Sequence, residues 1–156
     1  MVDCGKGARD WISTAFCLKL VQRVSNGEFE YVNWAIIPLL NPDGYEFAWT
    51  SDRNWQKNRA QTANNFCVGT DLSRNYPFQW GQGGSSNPCA ADYYGDSAAS
   101  ELETIAHIAE INSYLTEKNL SGYLTVTSFG QTVSYPFATS DLSEVSFGNI
   151  DEISDG

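Results

Sequence analysis

The stretch DCGKGARDWIS, residues 3–13, carries the strongest local signals in the sequence. Two glycines separated by one residue favour a tight turn, because glycine adopts backbone angles that other residues avoid. An Arg-Asp pair then precedes a tryptophan and an apolar run. Asp10 stands in the predicted first turn of a helix, where exposed N–H groups and the helix dipole favour a carboxylate. The stretch therefore predicts a turn that leads into a helix with Asp10 in its first turn.

Hydrophobic periodicity predicts two helices and two strands along the chain. The helices carry one apolar face, and the strands are rich in β-branched and aromatic residues. The predicted elements are helices over residues 8–24 and 97–115 and strands over residues 31–40 and 122–131. Ser97 or Ser100 is the predicted N-cap of the second helix, because a hydroxyl there can accept a backbone hydrogen bond.

The turn residues and the periodicity of the segments between these elements indicate their structure. NPDGY, residues 41–45, is predicted to be a turn, because Pro and Gly stand where a tight reversal needs them. Residues 46–97 show little periodicity, and a stretch of that length is usually functional or held by crosslinks. The order helix, strand, long loop, helix, strand predicts an α/β layer fold with functional residues at the strand ends.

Composition and charge exclude several classes of protein. The chain has 156 residues and an apolar content of 42%, which suits one folded domain. Nine lysines and arginines face nineteen acids, for a net charge of −10, so neither nucleic acid nor a membrane is an expected partner. No apolar run is long enough to cross a bilayer. Met1 leads directly into the polar segment described above, so no signal peptide is expected in this chain.

The four cysteines point to an oxidising compartment. They are Cys4, Cys17, Cys67 and Cys89, and no Cys-x-x-Cys pair is present, which disfavours a zinc ribbon. An even number at these spacings favours two disulfides. Four buried free thiols remain the alternative.

Six motifs now appear in order, and together they resemble a known family. They are DCGKGARDWIS…AFC, LLNPDGYEFAWTSDRNWQKNR, CVGTDLSRNY, SSNPC…YYG, SELETI and SFGQTVSYPF, running from residue 3 to about residue 140. The chain resembles zinc carboxypeptidases of the A and B type (peptidase M14). The resemblance implies an α/β fold, a three-layer sandwich around a mixed sheet, here present only in part. It also implies secretion, disulfides Cys4–Cys17 and Cys67–Cys89, and an ancestor that removes C-terminal residues.

The resemblance covers about half of the family's catalytic domain. The half that holds the family's general-base glutamate and substrate-capping tyrosine has no counterpart here. Residues 1–140 are therefore interpreted as a partial carboxypeptidase-like catalytic domain, and residues 141–156 as a truncated acidic tail.

The family's zinc-ligand motifs are altered in this chain. Active relatives carry GxHAREW and IHSYSQ, in which two histidines and a glutamate hold the metal. Here Gly7 and Asp10 stand at the first two ligand positions and Thr127 at the third. Catalytic zinc needs three protein ligands of nitrogen or oxygen type, so the sequence predicts no bound zinc and no other cofactor. His107, the only histidine, is interpreted as a surface or partly buried helix residue.

Of the residues that the family uses to bind substrate, this chain keeps more than it keeps of the zinc ligands. Arg74 matches the arginine that holds the substrate's terminal carboxylate, a task suited to the forked guanidinium. Arg9 and Arg53 match arginines of the cleft, and Ser128 keeps a polar contact beside the third ligand position. Gln56 replaces the arginine that stabilises the oxyanion, so catalysis should suffer. The alternative is that these arginines are solvated or paired with acids of the chain.

Several functional hypotheses follow. The first is a secreted pseudoenzyme that binds peptide C-termini without peptidase activity. The second is an interaction or structural protein that does not use the cleft. The third is a partial product that does not fold stably alone, and the fourth is a residual zinc-dependent carboxypeptidase.

Overall fold

The structure, a computed structural model, describes residues 1–63 and 66–134. The elements in chain order are β1 (Val2–Cys4), α1 (Trp11–Ser25), β2 (Ile36–Ile37), α2 (Pro42–Thr50), a 3₁₀ turn (Leu72–Arg74), α3 (Leu102–Glu117) and β3 (Leu124–Val126). No helix in the described ranges is long and apolar enough to span a membrane. The predicted domain boundary at residue 140 and the acidic tail lie outside these ranges.

The three strands form one parallel sheet in the order β2-β1-β3. Val2 lies opposite Ile36 on one side and opposite Leu124 on the other. Parallel neighbours need long crossover connections, and here the connections from β1 to β2 and from β2 to β3 contain the helices. This is the α/β arrangement that the element order predicts, and it brings the C-terminal ends of β1 and β3 to the same edge.

The core lies where helix α1 packs against β1. Val2, Cys4 and Cys17 are buried there, and four half-buried apolar residues pack around them: Leu20, Trp34, Ile36 and Val126. The Cys4–Cys17 disulfide joins the central strand to the helix. A second disulfide joins Cys67 to Cys89 in the long loop. Both predicted disulfides are therefore confirmed.

The segment predicted as a turn at residues 41–45 is the start of helix α2 instead. Asn41 caps the helix by accepting a hydrogen bond from the Gly44 N–H at 3.0 Å, and Pro42 occupies the first helical position. Asn as N-cap and Pro after it form a helix-start signal as well as a turn signal. Gly44 is needed there because a Cβ atom would collide with the carbonyl oxygen of Lys57.

The predicted strands are shorter in the structure. Residues 31–40 contribute only Ile36–Ile37, although hydrogen bonds from Val2 N to Ala35 O and from Leu40 N to Cys4 O extend the contact with β1. Pro38 has no N–H to give to a strand ladder, which limits the strand. Within residues 122–131, only Leu124–Val126 pairs.

The N-cap of α3 is neither predicted serine. Glu101 holds that position and makes no side-chain cap bond. Ser100 instead donates to the Glu101 carboxylate at 2.6 Å and accepts from the Asn75 amide at 3.0 Å. The serine hydroxyl is therefore already bonded within the loop and is not directed at the helix terminus.

Most of the long loop forms no helix or strand, and hydrogen bonds from buried amide side chains hold it together instead. Asn58 Oδ1 accepts from the Thr70 N–H at 2.8 Å, while its amide donates to Glu101 at 2.7 Å. Asn75 is fully buried and donates to the carbonyl oxygens of Tyr94 and Ser97. Such bonds replace the missing backbone ladder and satisfy buried polar groups.

Candidate functional site

The turn after β1 places Asp10 at the start of helix α1. Asp10 is 5% exposed and sits at the N-cap, but its carboxylate makes no capping bond. Its Oδ1 instead accepts a hydrogen bond from the Ser128 hydroxyl at 3.1 Å. Burial raises the pKa of Asp10, while the bonds from Ser128 and the charge of Arg9 act in the opposite direction. Asp10 thus faces the end of β3 and does not serve the helix alone.

Gly7 leaves room that two other side chains occupy. A Cβ atom at this position would lie 2.8 Å from Asp10 Oδ2 and 2.8 Å from the Gln56 amide nitrogen. The backbone fixes this approach, because Ala8 N–H donates to the Gln56 carbonyl at 3.0 Å. Gln56 Oε1 is buried and has no hydrogen-bond partner within the described part of the chain. The first ligand position of the motif is therefore closed by neighbouring polar groups.

The described part of this site does not fit a zinc ion on its own. Gly7 offers no side-chain donor, Asp10 offers one carboxylate, and Thr127 is an exposed hydroxyl residue just beyond β3. Among residues 1–63 and 66–134, no group of three His, Cys, Asp or Glu side chains is placed to hold a metal. Three protein ligands are usual for catalytic zinc.

Arg9 and Arg53 lie together beside this cluster. Arg53 Nη1 donates to the Arg9 carbonyl oxygen at 3.0 Å. The Arg53 guanidinium also lies 3.7 Å from the centre of the Trp11 ring, and Trp11 stacks on Trp49 at 3.8 Å. A cation over an aromatic face is held in place without losing its charge. Both arginines are exposed, so this pair presents positive charge at the surface.

Arg74 reaches the surface from the 3₁₀ turn of the long loop. Asp71 caps that turn, since its Oδ1 accepts from both the N–H and the hydroxyl of Ser73. The Arg74 side chain runs along two glycines, and a Cβ atom on Gly83 would lie 3.0 Å from its Nη1. No hydrogen bond or ion pair connects Arg74 to Arg9 or Arg53 in the residues that the structure covers.

These three arginines form no ion pair with an acid in residues 1–63 and 66–134. The salt bridges within the described ranges are Lys6–Asp3 and Arg23–Glu28. The structure thus brings Gly7, Asp10, Gln56 and Ser128 together and places Arg9 next to Arg53. No hydrogen bond or ion pair within the described ranges joins Arg74 to this cluster.

His107 lies outside the site and is more buried than the sequence suggests. Its side chain is 1% exposed on helix α3, and its Nδ1 pairs with the Tyr76 hydroxyl. Its Nε2 has no hydrogen-bond partner in the described residues. Burial lowers the pKa of His107, so the ring is held neutral. The interpretation as a surface or partly buried residue is corrected, because α3 turns this position toward Tyr76.

The sequence is similar to relatives named carboxypeptidase A or B and to one named inactive metallocarboxypeptidase. Rat mast cell carboxypeptidase A is 36% identical over 87% of this chain and 35% of its own length. Bovine carboxypeptidase B is 37% identical over 88% of this chain and 35% of its own length. Inactive metallocarboxypeptidase ecm14 of Talaromyces marneffei is 35% identical over 95% of this chain and 28% of its own length. The chain spans about a third of the length of these relatives.

Solved structures confirm the predicted fold class. The chain superimposes on bovine thrombin-activatable fibrinolysis inhibitor, solved with tick carboxypeptidase inhibitor, with a TM-score of 0.85 and 35% identity. That match covers 98% of this chain and 52% of the other. Carboxypeptidase A from Helicoverpa armigera matches with a TM-score of 0.73 and 34% identity, over 83% of this chain and 33% of that chain. The three-layer α/β carboxypeptidase sandwich is therefore present in part.

The match to a family model shows which family the chain belongs to, and it corrects the prediction about the cofactor. The sequence model of zinc carboxypeptidases, peptidase M14, matches residues 1–151. The prediction of no cofactor is wrong, because the family that this chain matches is a zinc family. On the extent of that match, and on identities above 30% to relatives named as carboxypeptidases, the chain belongs to the zinc carboxypeptidase family.

Proposed function

We propose that this chain binds the C-terminal carboxylate of peptides on a carboxypeptidase fold without hydrolysing the peptide bond. The observation that carries the proposal is the absence, within the described ranges, of any acid paired with Arg9, Arg53 or Arg74. In a chain with a net charge of −10, three surface arginines without acidic partners are available to an anionic ligand. This weighs against the alternative in which acids of the described residues neutralise them.

Arg74 is the proposed primary contact for the carboxylate. A guanidinium can donate two parallel hydrogen bonds to one carboxylate, which makes the contact both strong and directional. The Asp71 cap orders the turn that carries Arg74, whose side chain is exposed and lies along Gly83 and Gly84. Arg9 and Arg53 would attract the same ligand through their charge, and Ser128 is the proposed polar contact beside them.

The lack of hydrolysis is proposed from the groups that surround Gly7. Gln56 is neutral, and it occupies the position where the resemblance expects an arginine for the oxyanion. Losing a preorganised donor of that kind typically costs about 10²–10³ in rate. Asp10 is engaged by Ser128, and Gly7 has no side chain. The similarity to a relative named inactive metallocarboxypeptidase agrees with this proposal.

A secreted location is part of the proposal. Two disulfides tie the chain, and structural disulfides persist mainly in oxidising compartments. We expect the protein to be found outside the cytosol with both bridges formed.

Calorimetric titration with an N-acylated dipeptide that has a free C-terminal carboxylate tests the binding. The free acid should bind and its C-terminal amide should not. Arg74→Gln should weaken binding by about tenfold or more, because a hydrogen bond to a charged group is lost. Arg23→Gln is the matched control: it makes the same charge change at an exposed ion pair of α1 and should have little effect.

The same dipeptide, incubated with the protein and added zinc, tests the absence of hydrolysis. No amino acid should be released above the rate of a protein-free blank. Zinc-dependent release would contradict the proposal and favour a residual carboxypeptidase. Unchanged affinity in Arg74→Gln would contradict the binding role and favour an interaction protein that does not use these arginines.

A further inference from the structure

A cavity of about 400 Å³ lies beside the cluster around Gln56 and has no role in the proposed C-terminus site. Its walls come from the segment that follows helix α2 and from the loop closed by Cys67–Cys89. The side chains that give it chemical character are Asp52, Trp55, Lys57, Arg59, Phe66 and Val68. The volume is within the range of small-molecule sites, which run from about 300 to 1,000 Å³.

Lys57 is a buried cation without an acidic partner in the described residues. It is 4% exposed, and its Nζ donates to the Pro88 carbonyl oxygen at 2.6 Å. Its ammonium also lies 5.6 Å from the Trp55 ring and 5.9 Å from the Tyr93 ring. Burial lowers the pKa of Lys57 and the charge of Arg59 lowers it further, while the charge of Asp71 acts in the opposite direction. An ammonium has three N–H donors, so a single carbonyl leaves donor capacity for a ligand.

Arg59 is the second cation of the cavity and is held rigidly. Its guanidinium lies 3.7 Å from the centre of the Phe47 ring and 4.6 Å from that of Trp55. None of the ion pairs formed by the described residues includes Arg59. The aromatic rings orient the guanidinium, but they cannot accept its N–H donors as a carboxylate does.

The charge balance of the cavity is opposite to that of the chain. The lining has two cations and one acid, Asp52, whose Oδ1 accepts the Asn54 N–H at 3.0 Å. The whole chain has a net charge of −10. Removing a cation from water is costly unless an anion compensates it. Two adjacent cations in a partly enclosed cavity therefore indicate that an anion belongs there.

We infer that this cavity binds a small organic anion in which a carboxylate is attached to an aromatic or aliphatic group. The carboxylate would accept hydrogen bonds from Lys57 and Arg59, and the apolar part would contact Trp55, Phe66 and Val68. The same chemistry is offered by a free carboxylic acid and by an acidic side chain of a peptide. Arg74 is not among the residues that line the cavity, so the inference does not depend on the proposed C-terminus binding.

Calorimetric titration with two probes tests the inference. The first probe is phenylacetate, and the second is an acetylated, amidated pentapeptide with one central glutamate, which has no free C-terminus. At least one probe should bind with 1:1 stoichiometry and raise the melting temperature. Binding of phenylacetate alone identifies a small free acid as the ligand class, and binding of the peptide alone identifies an acidic side chain.

Substitutions assign the binding to the two cations. Arg59→Gln and Lys57→Met should each lower the affinity for the probe that binds by about tenfold or more. Lys19→Met is the control for Lys57→Met, because Lys19 is exposed on α1 and bonds only to Gln22 in the described residues. If circular dichroism shows that Lys57→Met does not fold, the affinity of Arg59→Gln for the probe is the test of the inference.

Arg74→Gln separates this site from the C-terminus site. It should leave the affinity for the amidated peptide and any Arg59-dependent binding of phenylacetate unchanged, whereas Arg59→Gln should leave the Arg74-dependent binding of the free dipeptide unchanged. The inference is overturned if neither probe binds, or if binding is unaffected by Arg59→Gln. It is also overturned if Arg74→Gln alone abolishes binding of the probes.

Discussion

At the scale of single residues, Asp10 combines a predictable position with an unpredictable environment. The sequence places it correctly at the start of a helix, because the apolar periodicity begins just after it. Ser128, which donates to Asp10, and Gln56, which lies with Asp10 beside Gly7, are 118 and 46 positions away along the chain. Those contacts depend on how the long loop and β3 pack, and local periodicity contains no information about that packing. The sequence therefore identifies the residue but not its partners.

Asp10→Asn should stabilise the protein at neutral pH. The folded-state pKa of Asp10 is raised by burial, so the folded protein binds this proton more tightly than the unfolded chain. Its favourable contribution is complete below the unfolded pKa of 3.8 and is lost as pH rises through the folded pKa. Asparagine carries no charge and keeps an oxygen for Ser128. We expect a gain on the order of 1 kcal/mol at pH 7 and none at pH 3.5, measured by urea unfolding.

Ser128→Ala is the control for that prediction. It removes a donor to the charged form of Asp10, so stability at pH 7 should fall rather than rise. A destabilised Asp10→Asn at pH 7 would contradict the prediction, because it would mean that the groups favouring the carboxylate, such as Ser128 and Arg9, outweigh its burial.

At the scale of elements, helix α3 was predicted from its amphipathic pattern and is found with its start shifted to Leu102. The pattern does not reveal that the helix buries a histidine. His107 faces Tyr76, Asp3 and Lys6, which belong to the loop and to the strand β1 region. A histidine reads as polar in a periodicity count, so the count assigns it to the surface. Its burial depends on the cavity that these distant side chains form.

The burial of His107 predicts a loss of stability in mild acid. Its folded pKa is lower than the ordinary value of 6.5, so below pH 6.5 the unfolded chain takes up a proton that the folded protein does not. Stability should therefore fall as pH drops from 6.5 toward the folded pKa, by at most about 1.4 kcal/mol per pH unit. Melting temperatures at pH 7, 6 and 5 measure the effect, and His107→Gln should flatten the profile.

The neighbours of His107 define the control. Asp3 acts to raise the pKa of His107 and Lys6 acts to lower it, whereas Tyr76 and Tyr123 stay neutral in this range because burial raises the pKa of both hydroxyls. The melts should be repeated in the Asp10→Asn background, because Asp10 contributes with the opposite sign. An unchanged pH profile in His107→Gln would show that other groups cause the acid sensitivity.

At the scale of the whole molecule, the order of the motifs was enough to predict the α/β fold and both disulfides. It was not enough to predict how the long loop is built. Asn58 and Asn75 hold that loop through buried amide bonds, and a lone asparagine in a sequence is usually read as a turn residue. The cavity around Lys57 and Arg59 depends on the same loop, so it could not be inferred from the spacing of the motifs.

The two disulfides should therefore differ in what they support. Replacing Cys67 and Cys89 by serine should cost about 3 kcal/mol in urea unfolding, the usual value for a loop of this order. If phenylacetate is a probe that binds, the same replacement should also abolish its binding, since both cysteines line the cavity. Replacing Cys4 and Cys17 should cost more, because both are fully buried in the core and join β1 to α1. Equal losses of stability, with phenylacetate binding retained in the Cys67 and Cys89 variant, would show that the loop keeps its shape through its amide network alone.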